Sequence, residues 1–69
     1  MNDDRIEMDP QVGFGRPRIR GTRVPLDVLF ARLAQGLAEA DVAREYGIGV
    51  EDVRAALLWA ARKVVEDRT

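Results

Sequence analysis

The sequence contains no cysteine, no histidine and no serine, and its only threonines are Thr22 and Thr69. Without cysteine there can be no disulfide, and the redox compartment is left open. Without cysteine and histidine the usual ligands of a structural zinc are missing too. The ordinary pairing of a nucleophile with an activating base cannot be assembled from what remains. Twelve carboxylates are present. Most fall at helix starts or on polar faces, where a solvated structural role is the normal one. The chain is therefore expected not to be an enzyme and to need no cofactor or metal. It also lacks an apolar run of membrane length and a signal-peptide pattern, so the expected location is cytoplasmic.

What is present is short and mixed in charge. Sixty-nine residues form one domain, 1–69. A domain of this size buries only about 60% of its unfolded surface. With staple and metal excluded, a second chain is the natural source of additional buried area, as a homodimer or a complex with another protein. The net charge is −1, unlike a generic nucleic-acid binder, but it is unevenly spread. Residues 1–10 set four acids against Arg5, residues 11–35 set five arginines against Asp27, and residues 36–69 are again acidic. The positive charge is concentrated in Arg16, Arg18, Arg20 and Arg23.

Residues 1–23 read as an extended segment or small hairpin. Ile6, Met8 and Val12 alternate with polar neighbours, a period suited to a short strand. Gly13-Phe14-Gly15 is a break. Arg16, Arg18 and Arg20 occupy alternate positions, which an extended chain lines along one face. Gly21-Thr22 reads as a turn. A first helix is expected over 25–36, with Pro25 at its first position, Leu26, Leu29, Phe30 and Leu33 on one face, and Gly36 as a left-handed cap. A second is expected over 38–46, with Ala38 in place of a capping Ser, Thr or Asp. A third is expected over 50–66. Its central stripe is Val53, Leu57, Ala60 and Val64, and Val50, Leu58, Ala61 and Val65 widen the apolar arc to roughly 200°. One core-facing side does not need that much, so the helix is expected to carry a second contact surface. Trp59 falls beside Arg62, Lys63 and Glu66, either as a partner contact or as a lid over the N-terminal segment. Leu58, Trp59 and Arg62 are the candidate partner-binding residues.

The spacing from Glu39 onward fits a helix-turn-helix. Counting Glu39 as the first position, the apolar residues required where two helices pack together are Val42, Tyr46, Ile48, Val53 and Ala56. Ala43 supplies the small residue at the crossing, and Gly47 can take the positive φ of the turn. The fold expected is all-α, three helices in a homeodomain-like arrangement. In a DNA reader the start of the second helix of the unit enters the major groove. The outward residues there are Gly49, Val50, Glu51, Arg54 and Ala55, and Arg54 is the strongest candidate for a base or phosphate contact. Arg16, Arg18, Arg20 and Arg23 could add phosphate contacts or a groove-reaching arm. Their alternative role is a set of salt bridges within the chain or to a partner.

The run Gly15-Arg-Pro-Arg-Ile-Arg-Gly-Thr-Arg-Val-Pro-Leu26 closely resembles the signature of domain-of-unknown-function family 433, Gly-Lys-Pro-x-Ile-x-Gly-Thr-Arg-Ile/Val-Pro-Val. The similarity continues through Leu33 and Gly36, the stretch ending in Tyr46, and Glu51-Asp-Val-Arg-Ala-Ala-Leu57 to Ala61. It covers about residues 6–61. This resemblance implies a homeodomain-like three-helix fold and an antitoxin similar to VapB types. Such an antitoxin is expected to bind a PIN-like nuclease toxin and, as a homodimer, operator DNA. The alternative is an interaction or dimerisation module of the same fold that does not read DNA. The chain departs from the family pattern at Tyr46-Gly-Ile-Gly49, where relatives often carry Tyr-Pro-Asp-Leu, and at Ala38, where they usually carry Ser or Thr.

Overall fold

The computed structural model describes residues 5–67; residues 1–4 of the expected N-terminal segment, with Arg68 and Thr69, lie outside the described residues. The N-terminal segment folds back on itself ahead of the helices. Strand β1 (Ile6–Glu7) pairs antiparallel with β2 (Arg18–Ile19), Ile6 opposite Ile19 and Glu7 opposite Arg18. Directly opposed residues share a sheet face, so the two isoleucines enter the core together while Glu7 and Arg18 meet on the other side. The alternation of Ile6 with Met8 stops at the second residue: Met8 is exposed, because the chain leaves the strand for a turn in which the Val12 N–H bonds the Asp9 carbonyl.

The Gly-Thr-Arg-Val-Pro run makes a second reversal. The Ile19 N–H bonds the Val24 carbonyl at 2.9 Å, and the Leu26 N–H bonds the Pro17 carbonyl at 3.0 Å. Gly21 takes φ 78°, a conformation that costs glycine nothing. The Thr22 hydroxyl donates to the Ile19 carbonyl and accepts from the Val24 N–H, so one side chain satisfies both backbone groups of a narrow turn. Pro25 is consequently extended (φ −75°, ψ 152°) and bridged to Arg18. It stands one position ahead of the helix, where its expected place was the first helical residue.

Three helices follow, α1 (Leu26–Ala34), α2 (Glu39–Tyr46) and α3 (Val50–Asp67). Gln35 caps α1 and Gly36 follows it at φ 98°. Ala38 precedes α2 with no side-chain cap, and Glu39 and Asp41 sit in its first turn instead. Gly47 ends α2 in the left-handed region at φ 68°, and the Ile48 N–H then bonds the Ala43 carbonyl. The residues expected inward across the α2–α3 turn are inward. Val42, Ala43, Val53 and Ala56 are buried, and Tyr46 and Ile48 pack against them. With Ile6, Ile19, Leu26 and Leu29 they form the core. Among the described residues the longest helix, α3, is not apolar enough to cross a membrane.

The inward face of α3 differs from the expected one. Val53 and Ala56 are buried, and Val50, Ala55 and Trp59 pack against the core, whereas Leu57 and Val64 are exposed. α1, α2 and β1 all contact α3, and the residues of α3 that are buried or packed on the core lie between Val50 and Trp59. Trp59 is the last residue of α3 packed on the core, so about two further turns run on without a partner helix.

Candidate functional site

Glu7 organises the arginines of the N-terminal segment. Its carboxylate accepts from Arg18 at 2.8 Å and from Arg20 at 3.3 Å. The Arg18 side chain is only 14% exposed, and its Nη1 is buried with no hydrogen-bond acceptor. An orphaned buried donor is uncommon. Arg16 and Arg23 are exposed and form no ion pair with the described residues. Together with Arg18, Val12, Phe14 and Pro25 they line a half-open cavity of about 290 Å³. The four clustered arginines, of which Arg16, Arg18 and Arg20 were expected along one face, thus divide. Arg18 and Arg20 are held by an intramolecular carboxylate, and Arg16, Arg18 and Arg23 converge on the cavity.

Phe14 forms the rim. It sits in a single 3-10 turn, Gly13–Gly15, at φ 61° and ψ 28°, and is 95% exposed. A left-handed backbone costs a bulky residue about 1–2 kcal/mol, and an exposed ring has no packing within the chain to offset it. Nothing in the charge or helix pattern singled this residue out. A large apolar side chain bracketed by glycines in a polar segment was the available signal.

The start of α3, the nominal groove-reading element, is occupied by internal contacts. Asp52 accepts the Gly49 N–H at 3.0 Å, the reciprocal half of a capping box, and its other oxygen accepts from Arg5 at 2.9 Å. Arg54 donates to Glu39 of α2 at 2.9 Å. The acids here serve the helix start and the attachment of the hairpin. Arg54 stays exposed but is already matched to a carboxylate.

The C-terminal half of α3 presents the opposite character. Leu57 is 38% exposed, Leu58 37%, Val64 60% and Val65 61%, and Ala61 is exposed between them. At 100° per residue these five fall within about 120° of arc. Of the apolar surplus read from the sequence, Leu58, Ala61 and Val65 lie on this stripe, and Val50 packs on the core. Of the expected partner-binding residues, Leu58 lies on it. Arg62 flanks it, half-buried. Trp59 turns away: it is half-buried against the core, with the Lys63 ammonium 5.6 Å from its ring centre. Ala61 and Val65 belong to the arc widened by the sequence pattern, whereas Leu57 and Val64, which their period places on the core-facing stripe, are exposed and belong to this surface instead. Among the described residues no group of three or more carboxylates is placed to hold a metal ion.

The fold and these surfaces define a small, mostly helical protein with an arginine-rich clasp and an uncovered helix face. The model of the family described as protein of unknown function DUF433 matches residues 6–60, and the chain belongs to that family. Among solved structures it is similar to a DUF433 member protein from Anabaena variabilis, with a TM-score of 0.79 and 33% identity over 93% of this chain. It is also similar to Rv2018 from Mycobacterium tuberculosis, with a TM-score of 0.68 and 31% identity over 75% of this chain. The chain spans 65% of the first of those proteins and 24% of the second. No curated protein matches the sequence.

Proposed function

We propose that this chain is an antitoxin-like protein of homeodomain-like helix-turn-helix architecture. It acts by binding protein, a PIN-like nuclease and a second copy of itself, rather than by catalysis. The observation that carries the reading is the Leu57, Leu58, Ala61, Val64 and Val65 stripe. A chain with eight buried core residues among those described leaves four large apolar side chains exposed along one helix. Contiguous apolar surface of that kind marks an interaction site. The family resemblance supplies the identity of the partner, and a sequence without Cys, Ser and His supports the non-catalytic role.

Co-expression with a PIN-like nuclease encoded beside the gene tests this. The expected result is a stable complex in which nuclease activity is suppressed, and which dissociates when Leu58 and Val65 are both changed to Lys. A nuclease that stays active and does not associate would exclude the role. A second function, operator binding by the dimer, is favoured by one feature, the two exposed arginines Arg16 and Arg23 that pair with no carboxylate of the described residues. It predicts binding to upstream duplex DNA that weakens steeply with salt and depends on those arginines more than on Arg54. A location in the cytoplasm follows from this role.

A further inference from the structure

We propose that the cavity beside β2 is a nucleotide-phosphate site, in which the arginines hold the phosphate and Phe14 stacks on the attached base. The proposal goes beyond protein binding, since no residue of α3 lines the cavity. Its charge is the first argument. Arg16 and Arg23 are exposed without an ion pair to the described residues, and Arg18, whose side chain is 14% exposed, brings a third guanidinium to the lining. Glu7, the carboxylate bonded to this group, is shared between Arg18 and Arg20. The cavity therefore has donors in excess, and planar guanidinium forks match phosphate oxygens in pairs.

The lining is the second argument. Val12, Phe14 and Pro25 make much of the wall, which a bare inorganic ion would leave uncovered. The occupant must carry a flat apolar body next to its anion. Phe14 is held in a strained backbone conformation with its ring almost wholly in solvent. Strain with no internal compensation points to a use outside the chain, and an exposed ring flanked by arginines is a stacking platform for any base. A volume of about 290 Å³ is at the small end for ligand sites and suits one nucleotide. That nucleotide has two sources, a free mononucleotide or the phosphorylated end of a strand.

The test is a titration of the isotope-labelled full chain, followed by amide shifts. The probes are adenosine 5′-monophosphate, adenosine, inorganic phosphate, and a single-stranded hexanucleotide with and without a 5′-phosphate. The expected result is saturable binding of the monophosphate, with shifts centred on residues 12–18 and 23, tighter than adenosine or phosphate alone. Tighter binding of the phosphorylated hexanucleotide assigns the site to strand ends, and equal binding assigns it to free nucleotides. Phe14→Ala and Phe14→Leu should each weaken binding about tenfold, and Arg16→Gln with Arg23→Gln by at least as much. All are at exposed positions, so melting temperature should hold. Three results would overturn the proposal: binding unchanged in these variants, displacement of the monophosphate by an equal concentration of an acidic Phe-Glu peptide, or binding of duplex DNA with none of the mononucleotide.

Discussion

Changing Val64 and Val65 together to Lys separates a free helix face from a working one. Full burial of a valine side chain contributes about 1.5–3 kcal/mol relative to exposure. In the isolated chain these two remain 60% and 61% exposed, so a partner that covers them recovers about 1–2 kcal/mol from each. Replacing both should then weaken association by about 30- to 1000-fold. The same change should hardly affect the fold. Neither side chain packs on the core, and Lys is a slightly better helix former than Val. The melting temperature should therefore stay within about 5 °C. Sedimentation of the chain alone reads self-association, and calorimetry against the PIN-like nuclease reads the heterocomplex. If both associations persist unaltered, the stripe is not the contact surface and the reasoning fails. If the variant melts more than about 10 °C lower, the valines are part of the domain's own packing, which would refute it equally.

Three further outcomes concern the fold that presents these surfaces. Leu29→Ala, at a fully buried position of α1, should cost about 3–4 kcal/mol and lower the melting temperature by at least about 12 °C; a smaller drop would mean that the core collapses around the cavity. Gly47→Ala places a methyl-bearing residue at φ 68° in open space, so denaturant titration should show a loss of about 1–2 kcal/mol from backbone strain alone. Asp52→Ala removes both the bond to the Gly49 N–H and the bond to Arg5. It should cost about 1–2 kcal/mol and speed amide exchange at Gly49, and unaltered exchange there would show that the cap is dispensable.

The α2–α3 pairing was legible in the sequence because it rests on local spacing. Val42, Ala43, Gly47, Val53 and Ala56 are fixed relative to one another by helical geometry, and Gly47 must be small because its φ is positive. The turn at Gly21-Thr22 was legible for the same reason, as both its bonds lie between Ile19 and Val24. A third helix over 50–66 with more apolar arc than one contact needs was visible as well, and so was the concentration of arginine between residues 16 and 23.

What the chain could not reveal by spacing is which part of each surplus is used inside the molecule. Leu57 and Val64 share the period of Val53, yet only Val53 is buried. Val64 is left free because the core ends at Trp59, whereas Leu57, which precedes Trp59, is 38% exposed at the edge of the inward face. The arginines of the clasp look alike in sequence. Their fates differ because the pairing of Glu7 with Arg18 across β1 and β2 brings one carboxylate to Arg18 and Arg20 and leaves Arg16 and Arg23 on the cavity. Period and turn chemistry act over a few residues and are written along the chain. Burial and charge neutralisation depend on what lies opposite in space, and contacts such as Arg5 with Asp52, 47 positions apart, exist only once the chain has folded.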